Sequence, residues 1–385
     1  MPFTRQYRTD HPGNHRRRSA LAWAAISLAV AACTVWTSPS TAKAANGTSP
    51  AASPNSESLA SSITIVARHI ETKKDDITYA QISGLPNAKV EQKINASLAI
   101  DPNHLQRSNP TDSYWNTYQL LYLAGNLLEI EYDTYDYTQG AAHGMPGRDI
   151  HLVNLATGQT YGEKDLFKPG SNYLQTLTNA VKARDTQNIL SPRFSGVKPT
   201  DGFALERDGI QIFFTPYEWT PYAIGFPSFD IPFATVQSDI NTRGTLWQSI
   251  HSAASQLALS VQNRDIAKIQ SLGFQPYSVT PTDTEQLQGF AAAGTNSAQT
   301  LYAFTASKGA NDEGYLFFFL DDHYLGTDTW KEHALNLSMY PDGKGTIVVQ
   351  YENTQPNGTS DPFTMRFTWT GSKLLLSRSF PADFT

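Results

Sequence analysis

The chain has a single cysteine, Cys33, among 385 residues. An internal disulfide is therefore excluded, and so are a zinc-thiolate site and a paired-cysteine redox motif. The fold must rest on hydrophobic cores of adequate size. Charge is absent from Ser19 to Ala42. Recognisable catalytic signatures are also lacking. There is no G-x-S-x-G elbow, no phosphate-cradling G-x-x-x-x-G-K-[ST] loop and no G-x-G-x-x-G after a strand. Beyond residue 15 no H-E-x-x-H or H-x-x-x-H occurs, so no helix offers two imidazoles on one face. These absences favour a non-catalytic protein without a cofactor or metal.

What is present begins with Arg16, Arg17 and Arg18, followed by an apolar run from Ala20 to Trp36. A basic cluster, an uncharged stretch and then small residues is the layout of a secretory signal, because the arginines stay cytoplasmic while the apolar run enters the bilayer. Residues 1–44 are therefore expected to be a signal peptide. Ala42-Lys43-Ala44 would release a soluble chain at Ala45. Val30-Ala31-Ala32-Cys33 offers an alternative, a lipobox-like site that would acylate Cys33, although Val35 and Trp36 prolong the apolar run past it. An extracytoplasmic product, secreted or attached to the cell surface, follows from either. The whole chain carries 29 basic and 35 acidic residues. With six of the basic and one of the acidic residues lying in 1–44, the remainder has a net charge of −11. Such a surface disfavours nucleic acid and anionic membranes, so membrane attachment is expected only through the signal or a lipid at Cys33.

Residues 45–60 are mostly Ala, Ser, Asn, Pro and Gly with one charge, a composition that reads as a flexible tether. From 61 to 242, short β-branched and aromatic runs alternate with two helical patterns. Ile63 to Val66 and Ile77 to Tyr79 read as strands. Pro86 is expected to open a helix with Val90, Ile94 and Leu98 on one face, and Ser171 to cap a second with Tyr173, Leu177 and Val181 inside. Tyr114 to Tyr137 is expected to be a long hairpin turning at Gly125-Asn126, and Leu205 to Thr215 a shorter one turning at Asp208-Gly209. Residues 243–271 read as a helical connection, and 272–385 as a smaller strand-rich α+β domain. The fold class expected is α+β, with a mostly antiparallel N-terminal sheet and two inserted helices. Glu129, Glu131 and Asp133 alternate along one strand face, which is usually a solvated edge.

Two stretches are richer than structure alone requires. Phe214 to Gly225 leaves a strand at Pro216 and offers Tyr217, Glu218, Trp219 and Tyr222 in a proline-braced loop. Rigid aromatics with a polar tip are typical contact residues. Gly140-Ala141-Ala142-His143-Gly144 places one histidine in a tight turn of small residues. Tyr217, Glu218, Trp219, Tyr222 and His143 are the candidate ligand-binding residues. No catalytic or metal-binding residue is indicated.

These stretches carry a resemblance. Tyr79 to Leu85, Gly140 to Gly144, Ile150 to Gly158, Lys164 to Phe167, Phe213 to Glu218 and Pro221 to Gly225 together look like the RsiV/PdaC-type extracytoplasmic domain. The resemblance implies a cell-envelope binding domain. In anti-sigma members that domain grips lysozyme, a cationic protein. The segment before the apolar run is too short to bind a sigma factor, and the deacetylase's metal-binding catalytic domain is absent, so neither activity is implied. Tyr315 to Phe319, Tyr324 to Thr329, Thr346 to Val349 and Met365 to Gly371 resemble the LppP/LprE lipoproteins over residues 300–378. The expectation is a binding protein for a protein or peptidoglycan ligand, with a lysozyme-like cationic protein as one such partner. A cell-wall-modifying enzyme with an unrecognised site and a structural envelope protein are the alternatives.

Overall fold

The computed structural model describes residues 58–385 apart from 106, 108, 110, 277–289, 298, 309–312, 336, 353–360, 382, 383 and 385. The expected signal peptide, its Ala44 cleavage site and Cys33 lie outside the described residues. No helix among those described is long and apolar enough to cross a membrane.

The observed class is α+β with mainly antiparallel sheets. Helix α1 (Leu59–Ser62) opens the fold. Ala60 is buried and its N–H donates to Gly125 O at 2.9 Å, so ordered structure starts inside the segment expected to be a tether. The first sheet runs in chain order through β1 (Thr64–Glu71), β2 (Asp75–Ser83), β3 (Ser113–Ala124), β4 (Leu127–Tyr137), β5 (Met145–Asn154) and β6 (Thr160–Tyr161). Among the described strands of this sheet, only β2 and β3 pair in parallel. A parallel pair needs a crossover, and α2 (Ala88–Leu98) lies in it, burying Ile94 and Leu98. The helix starts just after Pro86, with Asn87 as its cap: the Asn87 side chain accepts from the N–H groups of Lys89 and Val90. The hairpin of β3 and β4 turns at Gly125-Asn126 as its sequence predicts, with Gly125 at φ +58.

Helix α3 (Tyr173–Arg184) follows, and Asn172 rather than Ser171 occupies its N-cap. Leu177 and Val181 face inward as expected. Strands β7 (Gly202–Leu205), β8 (Gly209–Phe213) and β9 (Ser228–Pro232) form a three-stranded antiparallel sheet, and α4 (Phe233–Val236) follows directly. The expected helical connection is two helices, α5 (Thr245–Ile250) and α6 (Ala253–Ser271). The break has a local cause: Ser252 Oγ accepts from Ser255 N–H and starts a new helix.

The remaining strands are β10 (Gln275–Pro276), β11 (Phe290–Gly294), β12 (Thr300–Ser307), β13 (Glu313–Leu320), β14 (His323–Thr327) and β15 (His333–Ala334), then the meander β16 (Leu337–Pro341), β17 (Thr346–Tyr351), β18 (Phe363–Trp369) and β19 (Leu374–Leu376). Phe318 on β13 meets Phe367 on β18 at 4.6 Å, closing a core between the two sheets.

One hydrophobic core joins the two halves that the sequence separates at residues 243–271. It contains Ile65, Tyr118 and Ile130 together with Ile269, Phe304, Phe317 and Val348. Tyr118 O–H donates to Pro341 O at 2.5 Å, and Gly343 N–H donates to Ile65 O at 2.8 Å. A second core lies between β8, β9, α3 and α5 and takes in Leu177, Ile210, Phe214, Phe229 and Leu246. At about 1.5–3 kcal/mol for each fully buried large apolar side chain, these cores take the place of the missing disulfides.

Two of the three carboxylates in the row on β4 are not solvated, and Asp133 is half-buried. Glu129 is 0% exposed and Glu131 3%. The alternation correctly puts them on one face, but β7 covers that face, and Leu205 N–H donates to Glu129 Oε1 at 2.9 Å. Burial pushes the Glu129 carboxyl well above its ordinary range. It drives Glu131 up to about 8, against the pull of Arg148.

Candidate functional site

His143 sits in the connection between β4 and β5, and the loop 214–227 joins β8 to β9. The structure brings them together. The His143 ring stacks on Tyr222 at 4.0 Å and lies 6.2 Å from Tyr217, and the two tyrosine rings are 5.4 Å apart. His143 Nδ1 is 2.9 Å from Gly144 O, and Nε2 is 3.2 Å from the Tyr217 hydroxyl. A carbonyl can only accept, so Nδ1 donates to Gly144 O, while Nε2 and the Tyr217 hydroxyl share the second hydrogen bond. Tyr222 O–H donates to the same Gly144 carbonyl at 3.1 Å. Gly144 N–H donates in turn to Tyr135 Oη at 2.8 Å. Gly144 is thus the node that holds three aromatic side chains.

That node has no room for a side chain. A Cβ on Gly144 would lie 2.4 Å from Asp136 O and 2.5 Å from the Tyr135 ring. Gly144→Ala should therefore cost about 2 kcal/mol of stability in urea unfolding and separate His143 from Tyr222. An unchanged midpoint would show that the turn relaxes freely.

Tyr217 is the unusual member. Its φ is +71, in the left-handed region, and it is 56% exposed. A non-glycine residue there costs on the order of 1 kcal/mol, and no burial of the side chain recovers it. Met145, which follows Gly144, and Ile224, in the same short 3-10 turn as Tyr222, are also exposed. The rings and these two side chains give the region a partly apolar surface.

The other two candidates point elsewhere. Glu218 pairs with Lys198 at 2.6 Å. Trp219 is half-buried against Phe194 at 5.3 Å, with the Lys198 ammonium 4.7 Å from its ring centre. Its indole N–H is buried with no acceptor in reach among the described residues. Tyr217 and Trp219 lie two residues apart in a turn, so they diverge, and sequence spacing alone does not separate their roles. Tyr135 and Gly144 are the members that sequence reasoning leaves out of the candidate set, although Gly144 lies inside the stretch it singles out.

Among the described residues, no three His, Cys, Asp or Glu side chains are grouped to hold a metal ion. The Asp321-Asp322 pair forms the turn between β13 and β14, with Asp321 at φ +50.

The molecule is thus a strand-rich α+β protein with an exposed ring patch between a sheet edge and a loop. Residues 164–234, which include that loop, match the family model DUF3298, described as a protein of unknown function. The match falls within the stretch that resembles the RsiV/PdaC-type domain, whereas the lipoprotein resemblance at 300–378 rests on its quoted residues alone. No curated protein matches the chain. Among solved structures, a DUF3298 family member from Bacteroides fragilis NCTC 9343 is similar at 15% identity and a TM-score of 0.41, over 50% of this chain and 99% of that one. A DUF3298 family protein from Pseudomonas aeruginosa PAO1 is similar at 18% identity and a TM-score of 0.35, over 46% and 94%.

Proposed function

We propose that this protein is a non-catalytic binding module of the cell envelope, acting outside the cytoplasm, whose contact surface is the ring patch of His143, Tyr217 and Tyr222. The observation that carries this reading is Tyr217. A large, exposed aromatic ring held in strained backbone by a hydrogen bond to His143 is costly for stability, and such strain collects at functional sites. Tyrosine also suits recognition, since a rigid ring with a polar tip loses little entropy on binding. The signal-like N-terminus supports an exported location. The ligand is a protein or cell-wall fragment, and a lysozyme-like cationic protein is the partner to try first, given the resemblance and the acidic chain.

Calorimetry of the chain from residue 45 onward with hen-type lysozyme, at two salt concentrations, tests this. Binding at about micromolar affinity or tighter that weakens with salt is expected for complementary charge. Tyr217→Ala should then weaken binding by about 2 kcal/mol and leave the melting temperature unchanged, because the ring is mostly in solvent. No heat with lysozyme removes that partner and moves the test to soluble peptidoglycan fragments. Full-strength binding by Tyr217→Ala removes the ring patch as the contact surface.

A further inference from the structure

The loop that carries Tyr217 and Tyr222 leaves β8 after Phe213 and returns to β9 at Ser228. Its base is closed by Phe214 N–H donating to Pro227 O at 3.1 Å. Arg148, on β5, reaches both ends of it. Its Cζ lies 5.1 Å from the ring centre of Phe213 and 4.9 Å from that of Phe226, and these rings meet edge to face at 6.2 Å. The guanidinium is largely buried, with Nε 3.1 Å from Glu131 Oε1. Gln119 Nε2 donates to that same oxygen at 2.8 Å. Phe213 cannot retreat on its other side, because its ring occupies the space where a Cβ on Gly202 would stand, 2.1 Å away.

We infer that Arg148 is the positioning residue of the ring patch: a strut anchored on the β3–β4–β5 sheet that fixes both ends of the 214–227 loop and so sets Tyr217 and Tyr222 against His143. The order of contacts supports this. His143 and Arg148 both belong to the sheet side of the site, one before β5 and one within it, whereas the tyrosines belong to the loop. The stack of His143 on Tyr222 joins the two sides at the exposed rim. The Arg148 contacts join them at the loop base, where movement would be amplified at the rim. Arginine suits the task. Its planar cation can lie over two rings at once while staying within ion-pair distance of Glu131, which the compact ammonium of lysine cannot reproduce.

The inference concerns the surface of the proposed function, and a ligand-free measurement separates the two. Amide hydrogen exchange would be followed in the full chain and in Arg148→Met, Arg148→Lys and Phe226→Leu. The reporters are the hydrogen-bonded amides of Phe214, Glu218, Ile224 and Gly225. In all three variants they should exchange about tenfold faster, while amides of β12 and β13 keep their rates. Unchanged loop rates in Arg148→Met would overturn the inference. Wild-type rates in Arg148→Lys would also do so, because charge without planarity would then suffice. Should Arg148→Met unfold and speed β12 and β13 as well, Phe226→Leu decides. It alters a half-buried ring outside the cores, and an undisturbed loop there sinks the strut.

Discussion

Raising the pH from about 5 to about 8.5 should lower the melting temperature by more than about 10 °C. The groups responsible are buried. Asp265 on α6 is 0% exposed, and among the described residues neither of its carboxylate oxygens has a hydrogen-bond partner. Burial, with the charge of Asp322 adding to it, pushes its carboxyl up to about 8, from an ordinary 3.8. Burial likewise takes Glu131 from 4.5 to about 8 and raises Glu129 well above its ordinary value. In each case the folded state holds a proton that the unfolded chain gives up near pH 4, so stability is greatest below the unfolded value. It falls as pH rises toward the folded one. At about 1.4 kcal/mol per unit, Asp265 and Glu131 each lose on the order of 4 kcal/mol over the span. A shift of about 2 °C per kcal/mol is expected for a chain of this size. Asp101 and Asp149 run the other way, with carboxyls held low by hydrogen bonds, and they limit stability only in stronger acid. Calorimetric melts of wild type and Asp265→Asn across this range check the point. The variant should overtake wild type above about pH 7. A flat wild-type profile would mean that water or relaxation reaches these carboxyls.

The same residues show where the sequence is legible and where it is not. The β3–β4 hairpin is readable because Gly125-Asn126 demands a turn and the flanking residues alternate. The face of Glu129, Glu131 and Asp133 is readable as a face, but not as a buried one. Its cover comes from β7, more than 60 residues away in sequence, and an alternating acidic strand looks the same whether or not another sheet lies on it. The candidate site divides similarly. Local composition singles out the His143 turn and the Tyr217 loop. Their meeting depends on the pairing of β4 with β5 and of β8 with β9, which no local signal encodes. Trp219 shares the loop's aromatic signature with Tyr217, and only the left-handed backbone at Tyr217 turns one ring outward and the other toward Phe194.

Removing the Asp328 carboxylate should be the most damaging single change in the C-terminal half, at about 3–5 kcal/mol. The Tyr324-to-Thr329 segment, distinctive in sequence, has its physical explanation here. Asp328 Oδ1 accepts from the N–H groups of Leu316 and Thr329, each at 3.0 Å. Oδ2 accepts from Tyr351 O–H at 2.7 Å and from His333 Nε2 at 2.8 Å. His333 Nδ1 faces Ala334 O at 2.9 Å. With an acceptor before each nitrogen, the ring is an imidazolium, and both side chains of the ion pair are almost wholly buried. Burial alone would lower the His333 pKa, but the hydrogen bond and charge of Asp328 outweigh it and hold the group above its ordinary 6.5. This pair therefore stabilises the fold fully below that value and loses its contribution as pH rises through the folded pKa, adding to the fall expected from the carboxyls. Asp328→Ala strands a buried cation and three further donors at once. Tyr351→Phe removes one donor and leaves the pair, so it should cost about 1 kcal/mol. Urea unfolding at pH 6 distinguishes the two. A loss under about 1 kcal/mol in Asp328→Ala would show that the cluster is held open to water, whereas equal losses in both variants would place the stabilisation in the Tyr351 hydrogen bond to Asp328 rather than in the charge.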